Sequence, residues 1–159
     1  MSNNNEYEEF LFYRIDGSDL LTGFVIGHLV VEHLLEKIIL NYDIKLKKSF
    51  LKLSHSGKIK YINSLNLIPD EVANCLHSIN KIRNKFAHEL GYNPKKDELM
   101  QLIVQCRDSF HDMTDGLEQL HAALEESDNL LEAQEKHGVG LADLFIQIIY
   151  DLEGYAEIT

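Results

Sequence analysis

The sequence predicts an all-α fold, a bundle of about five helices forming one domain. Three observations carry this. Apolar residues recur at i, i+3 and i+4 over long windows, the period of a helix with a buried face. Only two Pro occur in 159 residues. No convincing strand pattern and no internal repeat is present. A chain of this length, 45% hydrophobic, suffices for one substantial core.

Residues 1–15 read as a flexible N-terminal tail, and 16–159 as the domain. The polar, acidic start is not a secretory signal. Phe10–Tyr13 is an apolar patch able to begin a short helix or dock onto the core. Ser18 or Asp19 caps a first long helix over Leu20–Tyr42. Its apolar residues cover more than one face, which suits a central position or a dimer seam. Gly23 and Gly27, four apart, allow another helix to approach closely. Its density of charged and polar residues, from His28 to Lys37, excludes a membrane span.

Ser54 or Ser56 caps a second helix over roughly 56–65, with Ile59, Ile62 and Leu65 on its apolar face. Pro69, Asp70 and Glu71 open the third, with acids at the positive end of the helix dipole. Its stripe runs Val72, Leu76, Ile79, Ile82, Phe86 and Leu90, and Gly91 and Pro94 stop it. One long fourth helix follows from about Lys95 to Glu126, with Gly116 as a bend. The last helical region, 129–155, is interrupted near Gly138 and Gly140. Cys75 and Cys106 lie far apart without a CxxC spacing. They read as free buried thiols of a reducing, cytoplasmic compartment.

Net charge is −11, unevenly spread. Residues 45–107 hold 12 of the 15 Lys and Arg and 5 of the 26 Asp and Glu, a local net of +7. The remainder carries −18. The overall sign argues against bulk nucleic-acid binding. The basic middle fits either helices with complementary faces or a surface for a phosphate backbone. No basic recognition helix of a helix-turn-helix is present, so direct sequence-specific DNA binding is not expected.

Within the basic third lies Lys81–His88, late in the third helix. Ile82, Phe86 and Ala87 are core-type residues; Arg83, Asn84 and His88 are polar groups that something must use. His trades protons near neutrality, Arg forks onto phosphate oxygens, and Asn orients either. Asn84 and His88 are one turn apart, while Arg83 and His88 diverge by about 140°. One Arg and one His make a thin site. Two of each, across a two-fold axis, suffice for acid–base work on a phosphodiester.

The hexapeptide Arg83-Asn84-Lys85-Phe86-Ala87-His88 resembles the RNxxxH mark of the HEPN superfamily. The segments 27–35, 53–62 and 65–70 resemble its mannitol-operon-repressor-like branch, and the likeness covers about residues 20–92. The resemblance implies a HEPN-like helical bundle acting as a homodimer. In catalytic members it implies a metal-independent endoribonuclease of toxin, defence or stress type, with an RNA substrate and a neutralising protein partner. Carried over, His88 is the acid/base, Arg83 the phosphate clamp and Asn84 the orienter, with Glu32 and His28 supporting the cleft. Lys58, Lys60, Lys81 and Lys85 are the candidate RNA contacts. The alternative implication is a non-catalytic regulator of transcription or of protein contacts. Catalytic members silenced by nucleotide transfer carry a Tyr two residues after the motif His. Leu90 stands there, so that control is not implied.

The same cluster also fits a hydrogen-bond knot at a helix end or a dimer interface. His28 and Glu32, at i and i+4, are able to share an ion. A helical di-iron centre needs two ExxH motifs plus further carboxylates, and only Glu118–His121 has that spacing. No metal or other cofactor is expected. Neither a nucleophile motif nor a phosphate-cradling Gly-rich loop occurs.

Overall fold

The computed structural model describes residues 9–111 and 114–158, and among these there is no strand. A helical turn, Phe12–Asp16, leads into α1, Leu20–Tyr42. A single turn, Lys47–Phe50, then precedes α2 (His55–Ser64), α3 (Asp70–His88), α4 (Lys96–Ser109), α5 (Asp115–Glu125), α6 (Leu130–His137) and α7 (Leu141–Ile158).

The caps explain the starts. The Asp19 carboxylate accepts from the Thr22 N–H at 2.8 Å, and the Ser54 hydroxyl from the Gly57 N–H at 3.1 Å. Each satisfies a donor that the first turn leaves orphaned. α6 ends at Gly138, whose φ of +66° is a left-handed position that favours glycine.

The centre of the molecule is the α1–α7 pair. Residues 141–149 of α7 are all buried. The space where a Cβ on Gly23 would stand is taken by Leu141, and that on Gly27 by the Phe145 ring. Farther on, Lys37 pairs with Glu153 at 3.6 Å and Asn41 Nδ2 donates to the Ala156 carbonyl at 3.0 Å. Rising numbers on one helix meet rising numbers on the other, so the first and last long helices run parallel. α3 crosses the same core through Phe86, whose ring lies 5.8 Å from that of Phe24.

Three expectations are corrected. The long fourth helix is two. Phe110 leaves the helical region at φ −100°, ψ 145° and is buried. Thr114 then caps α5 by accepting from the Leu117 N–H, while its own N–H donates to Gln147 Oε1 on α7 at 2.6 Å. Met113, counted in the long helix by its spacing, lies outside the described residues. Cys75 and Cys106 are not free: α3 and α4 bring them together as a disulfide, with Cα atoms 5.9 Å apart. The tail boundary at residue 16 falls too late: Leu11 and Ile15 are core residues, in line with the reading of Phe10–Tyr13 as a segment that docks onto the core. Residues 1–8 of the expected tail lie outside the described residues.

Candidate functional site

The third helix carries its polar residues on two different sides. His77, Lys81, Asn84 and His88 follow one another at four-, three- and four-residue steps, the spacing of a single face. All four are exposed or half-exposed. Lys60 of α2 joins this face: burial lowers the His77 pKa, and the nearby Lys60 and Lys81 charges lower it further. Neither lysine has a carboxylate partner among the described residues.

Arg83 is displaced from this face. Its Nη1 donates to Asn84 Oδ1 at 3.1 Å, so Asn84 links the two sides. The guanidinium charge reaches His28 on α1. His88, at the last position of α3, instead borders an open depression with Leu21, Phe86, Leu90 and Tyr92. Arg83 and His88 of one chain therefore do not converge.

The two supporting residues, His28 and Glu32, belong to a tight polar cluster between α1 and α2. His55, the first residue of α2, lays its ring 3.9 Å from that of His28, inclined by 36°. His55 Nδ1 is 3.7 Å from Glu32 Oε1. Lys58 Nζ donates to the same oxygen at 3.0 Å and lies 3.6 Å from Glu36. The Nδ1 atoms of both histidines are buried and have no hydrogen-bond partner among the described residues.

Burial disfavours charge on both rings, and Arg83 adds to this at His28 and His28 at His55, so both imidazoles sit below their ordinary pKa. Burial works to raise the Glu32 pKa. The Lys58 ammonium, through its bond and its charge, outweighs this and holds the carboxyl below its ordinary value.

Two of the four lysines expected at an RNA surface are thus engaged elsewhere. Lys58 is 6% exposed and held by Glu32 and Glu36. It is a buried partner of the cluster rather than a rim contact. Lys85 pairs with Glu98 at 2.9 Å beside the Tyr92 ring, whose hydroxyl also donates to Glu98. Lys60 and Lys81 keep an open face.

Sequence reasoning passed over His55. A signal was available: His55, Lys58, Ile59 and Ile62 follow the i, i+3, i+4, i+7 spacing, so the face that buries Ile59 also carries His55 inward. That the face meets His28 depends on the turn at 43–54, which no spacing shows.

Comparison of the chain with protein-family models, with curated proteins and with solved structures yields no match.

Proposed function

We propose that the protein is a HEPN-like helical bundle that acts on RNA as a homodimeric, metal-independent endoribonuclease of toxin, defence or stress type. The observation that carries this reading is the open polar face where Lys81, Asn84 and His88 of α3 line up, joined by Lys60 of α2, beside the Arg83–Asn84 hydrogen bond. A phosphate chain is a fitting occupant of such a face.

The dimer supplies what one chain lacks. Leu21, Val25 and Leu29 form an exposed apolar stripe at four-residue steps on α1. Its Leu21 end adjoins His88, and the fully exposed Leu90 lies at the same depression. Covering this surface with a second copy sets two His88 and two Arg83 side chains about one axis. One His88 takes the proton from a ribose 2′-hydroxyl. The 2′-oxygen forms a bond to the adjacent phosphorus as the bond to the 5′-oxygen breaks, and the second His88 protonates the departing oxygen. Arg83 neutralises charge on the phosphorane-like transition state. The products are a 2′,3′-cyclic phosphate and a 5′-hydroxyl.

One observation favours a second reading, a non-catalytic regulator acting through protein contacts. The Arg83 guanidinium is tied to Asn84 and its charge acts on His28, as in a structural knot. Purified protein incubated with total RNA in EDTA separates the two. The enzyme yields cyclic-phosphate ends that His88→Ala abolishes in a folded protein. Intact RNA at every concentration where the protein is dimeric overturns the enzyme reading.

A further inference from the structure

We propose that His28, Glu32 and His55 form a binding site for a divalent transition-metal ion of the zinc type, in the seam between α1 and α2. This site differs from the His88 depression in place and in residues.

Geometry carries it. One ligand atom from each of the three side chains lies within 4.8 Å of the other two. Ligand atoms around a bound zinc stand about 3–3.5 Å apart, given bonds of about 2.0–2.2 Å. Small rotamer adjustments therefore close the set. His28 is 7% exposed, yet its Nδ1 has no hydrogen-bond partner among the described residues, and neither has the Nδ1 of His55. A buried nitrogen left unsatisfied destabilises the fold, and here two lie in adjoining rings. A metal ion answers both at once.

The donor set suggests which ion. Two imidazoles and a carboxylate suit Zn²⁺, Co²⁺ or Ni²⁺ and not Ca²⁺ or Mg²⁺, which favour all-oxygen shells. Three protein ligands leave a further coordination position for water. The Glu32 side chain is 27% exposed, which gives that position a way to solvent. Lys58 fixes the carboxylate by donating to Oε1, and Glu36 in turn holds Lys58. Such outer partners orient a ligand. The Lys58 and Arg83 charges also oppose a dication, so Lys58 both orients the ligand and weakens the site.

The test uses the full chain freed of metal with EDTA, then dialysed and titrated with Zn²⁺ by calorimetry. One equivalent binds. His28→Ala and His55→Ala each weaken that binding at least tenfold, and His33→Ala leaves it unchanged. Should the histidine variants fail to fold, ring-nitrogen NMR of the unaltered protein decides. The first equivalent of Zn²⁺ then shifts two histidine rings and leaves the other six in place. Absence of saturable binding, binding that survives loss of both histidines, or shifts confined to other rings overturns the proposal.

Discussion

Asp143 is a buried carboxyl in the first turn of α7, and nothing in its spacing marks it as unusual. Its Oδ2 accepts from the Gly140 N–H at 2.9 Å, while Asp16 accepts from the Ala142 N–H beside it. Burial pushes its pKa up to about 6; the Gly140 bond opposes this, and the Asp16 charge adds to it. The unfolded value is lower, so the folded state takes up a proton as pH falls through this window. Asp143 therefore weakens the fold above about pH 6, and the weakening fades toward pH 4. We expect Asp143→Asn, which keeps an oxygen for Gly140, to raise stability at pH 8 by about 1–2 kcal/mol and to match the wild type near pH 4. Thermal melts at both pH values check this; equal or lower melting of the variant at pH 8 contradicts it. Gly27 is the opposite case, because its spacing from Gly23 already pointed to a close helix approach. With the Phe145 ring in the way of any Cβ, Gly27→Ala should cost about 1–3 kcal/mol in urea unfolding, and an unchanged midpoint contradicts the packing.

Helix starts were legible to within a residue or two wherever a cap and an apolar stripe coincided; the structure chooses Asp19 over Ser18 and Ser54 over Ser56. The break between α4 and α5 was not. Apolar spacing continues across it, and the chain turns because Phe110 is drawn into the core and Gln147, 33 residues beyond Thr114, accepts its N–H. A local reading has no access to such a partner. Gln147→Leu leaves the Thr114 N–H unsatisfied and should destabilise the fold by about 1–3 kcal/mol. Hydrogen exchange at the start of α5 should then accelerate while α1 keeps its protection. Uniform protection in both helices contradicts a local role. The disulfide was hidden for the same reason, since Cys75 and Cys106, 31 residues apart in sequence, meet only once α3 and α4 pack.

At the scale of the molecule, the parallel α1–α7 pair fills the centre, and the acidic last helix buries Asp143, Asp151 and Glu153. Part of the acidic excess thus lies inside, while Lys60 and Lys81 stay on the surface. The motif helix was legible in the sequence. The divergence of Arg83 from His88 needed only the helical period, which already pointed to a two-fold arrangement; the exposed Leu21, Val25 and Leu29 are what supports the proposed dimer. We expect sedimentation to show a dimer that Leu29→Glu converts to monomer; a monomeric wild type contradicts the two-fold site. The most direct test of the central claim is the cleavage rate of an end-labelled single-stranded RNA in EDTA, for wild type and His88→Ala. Cyclic-phosphate products are expected, with a loss of at least about a hundredfold in the variant, the scale of one acid–base group. Equal rates for the two, or no cleavage by the dimeric wild type, would contradict the claim.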